Sequence, residues 1–146
     1  MSYTPVDILL IEDNSYDAEL AIRSLSKNNL TNNVLVLDDG EKALNYLFCR
    51  NEFSERNSDE KPKLILLDLK LPKVDGLEVL KELKINDKTR HIPVVILTSS
   101  KEEQDIITSY KLGVNSYIVK PVDFHKFSDA VSKLGMYWLL LNEIPK

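Results

Sequence analysis

The sequence predicts a single doubly wound α/β domain built on a five-stranded parallel sheet, and three observations predict it. Five short apolar runs punctuate the chain, at 7–11 (DILLI), 34–37 (VLVL), 64–68 (LILLD), 93–98 (PVVILT) and 116–119 (SYIV). These runs are continuous, not alternating, so each strand needs cover on both faces, as strands of parallel sheets do. The stretches between them carry helical spacing. Strand and helix in alternation along a whole chain imply a parallel sheet with right-handed crossovers.

The elements follow in order. After the first run, Ala18, Ala21, Ile22 and Leu25 recur at i, i+3, i+4 and i+7, one face of a helix. The second run ends in Asp38-Asp39-Gly40, which reads as a turn and a helix start. The polar segment at 50–62 (RNEFSERNSDEKP) is expected to be a solvated loop insertion with a little extra helix. At the end, Phe124, Phe127, Val131, Leu134, Trp138 and Leu141 form a longer stripe, which predicts a C-terminal helix over about 123–142. No repeat, linker or second domain interrupts this pattern, so residues 1–146 are expected to form one domain.

Composition narrows the function. A hydrophobic fraction of 43% with 29% charged residues is a soluble globular balance. A net charge of −4, with no run of Lys and Arg, argues against nucleic acid and anionic membranes as partners. The N-terminal MSYTPVDILLIED has no basic flank and only a short apolar core, so neither a signal peptide nor a membrane span is expected. The lone Cys49 cannot build a disulfide framework and reads as a small core hydrophobe, and the chain is expected in the reducing cytoplasm.

In such folds the chemistry lies beyond the carboxyl ends of the strands. There the first run is followed by Glu12 and Asp13, the third ends in Asp68, the fourth in Thr98-Ser99-Ser100, and the fifth is followed by Lys120. One edge of the sheet should therefore gather three carboxylates, a hydroxyl and an ammonium. Three like charges at close range raise at least one pKa unless something compensates, and a divalent cation with hard oxygen ligands would do so. A divalent ion, an ammonium and a hydroxyl around one carboxylate make a receptor for a phosphoryl group on Asp68, because phosphoryl transfer needs little beyond positioning and charge neutralisation.

Four motifs, LIEDN (10–14), LLDLKLPKVDG (66–76), ILTSS (96–100) and YIVKP (117–121), resemble bacterial two-component response regulator receiver domains, in order and over nearly the whole chain. The resemblance implies a flavodoxin-like (βα)5 fold with strand order 2-1-3-4-5. It implies Asp68 as phosphoacceptor, and Glu12, Asp13, Asp68 and the Lys70 backbone carbonyl as ligands of Mg2+, with Mn2+ as a substitute. It further implies Thr98 and Lys120 as phosphoryl-binding groups, Thr98 and Tyr117 as the switch pair, and a sensor histidine kinase as donor. The loop before the third strand, the DLKLPK wording and the YWLL tail look most like single-domain regulators paired with bacterial phytochromes. The domain would catalyse only its own phosphorylation and dephosphorylation.

Three other readings compete. A haloacid-dehalogenase-like phosphatase also forms an aspartyl phosphate but needs an Asp two residues after its nucleophile, where this chain has Lys70. A phosphorylation-independent pseudo-receiver should lack part of the acid–hydroxyl–lysine set, and none is missing. A flavin-binding version of the fold would want a Ser/Thr/Gly-rich phosphate loop where this chain has the acidic EDNSYD. With no output domain expected after residue 141, the output is expected to be protein–protein contact. Positions 136–141 (MYWLLL) are apolar around the full helix circumference, which makes Met136, Tyr137, Leu139 and Leu140 the expected interface of a homodimer.

Overall fold

The computed structural model describes residues 6–27 and 33–120 together with residues 125, 126 and 129. It contains a five-stranded, wholly parallel sheet in the order β2-β1-β3-β4-β5. The strands are β1 (Ile8–Ile11), β2 (Val34–Leu37), β3 (Leu64–Leu67), β4 (Val94–Thr98) and β5 (Ser116–Val119). The helices between them are α1 (Ser15–Lys27), α2 (Gly40–Leu47), α3 (Gly76–Ile85) and α4 (Glu103–Lys111). Residues 125, 126 and 129 are helical, inside the span expected for the C-terminal helix. Most of that helix, with Met136, Tyr137, Leu139 and Leu140, lies outside the described residues.

The continuous apolar runs are explained by the two cores. Successive strand residues face opposite sides of the sheet. Leu9, Ile11, Ile65, Leu67, Val94 and Ile96 pack with Ala43, Tyr46 and Leu47 of α2 and Val79, Leu80 and Leu83 of α3. Ile8, Leu10, Leu64, Leu66, Val95 and Leu97 pack with Ala18, Ala21 and Leu25 of α1. β1, β3 and β4 are therefore buried at every position, whereas the edge strands β2 and β5 are mostly half-buried. The stripe expected on α1 is present, with Ile22 only half-buried and Ser24 buried in the stripe beside Leu25.

Local signals explain where the helices begin. Asp39 caps α2, its side chain accepting from the Lys42 N–H at 2.7 Å. Asn14 caps α1 in the same way, accepting from the Asp17 N–H at 3.0 Å. The insertion at 50–62 contains the expected short helix, a 3-10 turn at Asn51–Phe53. It is pinned to α2 by Arg56, which is buried, donates to the Tyr46 carbonyl and lies over the Tyr46 ring at 4.0 Å.

Two glycines draw the loop after β3 against its neighbours. A Cβ on Gly76 would sit 2.2 Å from the Asp68 carbonyl oxygen, and one on Gly40 would sit 1.9 Å from the Val74 carbonyl oxygen. Both contacts are with backbone, which cannot give way as a flexible side-chain end can. Only glycine lets α3 start directly beneath the end of β3.

Candidate functional site

Asp68 is the residue immediately after β3. Its N–H still donates to the Ile11 carbonyl at 3.0 Å, so the carboxylate leaves the sheet from a fixed base. It is 5% exposed. One oxygen accepts from the Lys70 N–H at 3.1 Å and the other from the Lys120 ammonium at 3.1 Å. An apolar strand can end on this acid because, although it is buried, both of its oxygens are paired.

Glu12 follows β1, next to β3 in the sheet, and is also buried. Its Oε1 accepts from Lys120 at 2.7 Å and its Oε2 from the Asn14 N–H at 3.3 Å. Asp13 is exposed at the rim. One carboxylate oxygen from each of Glu12, Asp13 and Asp68 lies within 4.8 Å of the others. Lys120 follows β5 and reaches across to Glu12, to Asp68 and to Asp17, the last at 2.8 Å. Asp13, Asp17, Asp68 and Lys120 border an open cleft of about 390 Å³ that Lys70 also lines.

The electrostatics follow from burial and crowding. Burial and a shared hydrogen bond with Asp68 push the Glu12 carboxyl up to about 8, against the partial relief that Lys120 gives. For Asp68 burial acts upward, but hydrogen bonds from Glu12, the Lys70 N–H and Thr98, with the charge of Lys120, more than offset it and hold the carboxyl below its usual range. Burial also works against the charged form of Lys120, and the hydrogen bonds to Asp17 and Glu12 overcome it, so the ammonium is held more firmly than usual. The cluster thus keeps one carboxylate ionised at Asp68 and carries more acid than a single lysine neutralises. An all-oxygen donor set of this kind fits a hard divalent cation.

The hydroxyl side of the site is built by β4 and the loop after it. Thr98 is fully buried at the end of β4. Tyr117, on β5, donates its hydroxyl to the Ser100 carbonyl at 3.0 Å and is half-buried. The Ser100 hydroxyl donates to Asp105 on α4 at 2.6 Å, so the loop that follows Thr98 is tied to both β5 and α4. Glu12, Asp13, Asp68, Thr98 and Lys120 therefore converge as the strand-end pattern expects. Sequence reasoning missed Asp17 and Asp105. The only signal for either is an acidic residue in the first turn of a helix, which the helix dipole already explains.

Comparison with known proteins follows the same line. Residues 8–132 match the response regulator receiver domain family. The chain belongs to that family. It is the phosphoaccepting module of two-component signalling. It is 40% identical over 141 residues to the probable methanogenesis regulatory protein FilR2 of Methanothrix harundinacea, covering 97% of this chain and 88% of that protein. It is 38% identical over 144 residues to the response regulator Rcp1 of Synechocystis, covering 99% and 96%. Among solved structures, the phosphorylated cyanobacterial phytochrome response regulator RcpA superposes with a TM-score of 0.85 at 37% identity, covering 98% of this chain and 100% of that one. The Mn2+-bound form of Rcp1 gives 0.83 at 38%, covering 95% and 98%. The bacteriophytochrome response regulator AtBRR gives 0.75 at 52%, covering 97% and 100%. Among the described residues, no helix is long and apolar enough to cross a membrane.

Proposed function

We propose that Asp68 is the phosphoacceptor of this receiver and that the domain signals through a change of protein–protein surface. One observation carries the reading: a buried carboxylate at the end of the central strand, 3.1 Å from a lysine ammonium, with two further carboxylates within 4.8 Å. An oxygen of Asp68 attacks the phosphorus of a phosphohistidine in line, the P–N bond breaks with its electron pair going to the ring nitrogen, and the histidine, protonated at its other ring nitrogen, leaves as neutral imidazole. Glu12, Asp13, Asp68 and the Lys70 carbonyl would hold Mg2+, with Mn2+ as a substitute. When bound, the ion supplies positive charge against the phosphoryl oxygens. Lys120 and Thr98 donate to the same oxygens. As Thr98 moves to do so, Tyr117 gives up its bond to the Ser100 carbonyl and turns inward, shifting the surface around α4 and β5.

The donor in this reading is a sensor histidine kinase, and a phytochrome is its most specific form. The likeness to a cyanobacterial phytochrome response regulator and a bacteriophytochrome response regulator supports it. The chain acts as one receiver domain over 1–146, with a C-terminal helix at about 123–142, in the cytoplasm, and turns over no substrate but its own phosphoryl group. Phosphotransfer from the histidine kinases of the source genome, phytochromes included, tests donor and acceptor together. Rapid labelling of wild type by one kinase and none of the Asp68→Asn chain is expected. Equal labelling of both would move the acceptor elsewhere.

Self-association through the last helix belongs to the same reading. Apolar residues around its whole circumference at 136–141 support a twofold contact through Met136, Tyr137, Leu139 and Leu140. Sedimentation should give a dimer at micromolar concentration and a folded monomer after Tyr137→Glu with Leu140→Glu. A wild-type chain that stays monomeric at about 100 μM, where an association of roughly −5 to −6 kcal/mol would show, rules this contact out.

A further inference from the structure

The Lys120 ammonium has three hydrogens, and each has a carboxylate partner: Glu12 at 2.7 Å, Asp17 at 2.8 Å and Asp68 at 3.1 Å. In this arrangement no hydrogen is left for a phosphoryl oxygen. Two of the three partners belong to the acidic cluster. Asp17 stands outside it, in the first turn of α1, its N–H held by Asn14 at 3.0 Å. Its side chain is 26% exposed at the cleft rim, whereas those of Glu12 and Asp68 are 1% and 6% exposed. Asp17 is thus partly open to water at the start of α1, where the helix dipole favours a carboxylate. The two buried acids have no comparable solvation, and both also accept from the ammonium, at 2.7 Å and 3.1 Å.

We propose that Asp17 is a positioning residue that restrains Lys120, occupying a hydrogen that a phosphoryl oxygen on Asp68 would otherwise take. The proposal rests on Asp68 as the phosphoacceptor. With Asp17 neutralised, Glu12 and Asp68 still orient the ammonium, and the third hydrogen is released toward the cleft. The α1 carboxylate then sets how tightly the site holds a phosphoryl group, and its removal strengthens that hold instead of weakening it. A residue that merely braced the lysine would act in the opposite direction.

The test uses the full chain with saturating Mg2+ and beryllofluoride as the phosphoryl probe, with affinity read by calorimetry and the bound species by fluorine NMR. Asp17→Asn, and Asp17→Ala as a second variant, should bind about tenfold more tightly than wild type, a difference of about 1.4 kcal/mol. Glu19→Gln removes an exposed carboxylate from the same helix without touching Lys120 and should bind as wild type does. Thermal melts establish that each variant is folded. Unchanged or weaker binding in both Asp17 variants overturns the proposal. An equal gain in Glu19→Gln also overturns it, because the effect would then be one of general charge. A wild-type chain that binds no beryllofluoride with Mg2+ overturns the phosphoacceptor reading itself, a failure distinct from either of these.

Discussion

Lys120 carries a heavier load than any other residue of the site. Three carboxylates lie within 3.1 Å of its ammonium, two of them buried. Removing one partner of a buried charge set leaves the rest uncompensated, at a cost of about 3–5 kcal/mol. Lys120→Ala should therefore destabilise the metal-free chain by several kcal/mol, and added Mg2+ should restore part of that loss. Denaturant titration with EDTA and with Mg2+ measures both. Glu12→Gln with Asp13→Asn should act in the other direction, weakening Mg2+ binding and relieving repulsion when the metal is absent. A double variant that binds Mg2+ as tightly as wild type would refute the ligand assignment.

Glu12 also makes a pH prediction. Its folded carboxyl is raised to about 8 from 4.5, by burial first and then by Asp68, so the metal-free folded chain binds a proton that the unfolded chain releases. The stabilisation from that proton is fully present below about 4.5 and is lost as pH rises through about 8. Metal-free unfolding free energy should accordingly fall between these limits, and Glu12→Gln should flatten the slope. A metal-free stability that rises across the same window would contradict the assignment. Much of this residue-level picture was legible beforehand, because acids, hydroxyl and lysine each sit at a strand end. Asp17 was not, because its role depends on how far the Lys120 side chain reaches across the sheet edge, a distance that strand order alone does not supply.

At the scale of elements, the apolar runs marked all five strands, and Asp38-Asp39-Gly40 marked the start of α2. What the pattern could not convey was the division of each strand between two cores, since a run apolar at every position carries no alternation to read. The tight approach of α3 to β3 was equally hidden. Gly76 is one glycine in an Asp-Gly pair, and only the three-dimensional arrangement shows the Asp68 carbonyl 2.2 Å from its missing Cβ. Gly76→Ala should cost about 1–3 kcal/mol through backbone displacement and should also slow labelling of Asp68, whose own carbonyl must shift. Gly40→Ala meets the Val74 carbonyl instead and should lower stability with a smaller effect on labelling. Melting curves and labelling rates for the pair separate the two effects. Equal labelling rates in both variants would show that the α3 start does not position the acid. Asn14→Ala, which removes the α1 cap, should cost about 1 kcal/mol.

At the scale of the molecule, the sheet order 2-1-3-4-5 does the assembling. β1, β3 and β4 lie side by side, so Glu12, Asp68 and Thr98 meet at one edge, and β5 follows β4 so that Lys120 can close the set. Each of those residues is ordinary alone; their chemistry comes from a topology that brings four distant chain positions together. The central claim is that Asp68 is the residue that chemistry serves. The most direct measurement is to phosphorylate the chain with acetyl phosphate and Mg2+, reduce the acyl phosphate with borohydride, and locate the product by peptide mass spectrometry. The account predicts homoserine at position 68 and at no other acid. Homoserine at Asp13 or Asp17 in place of 68, or no reducible phosphate at all, would contradict it.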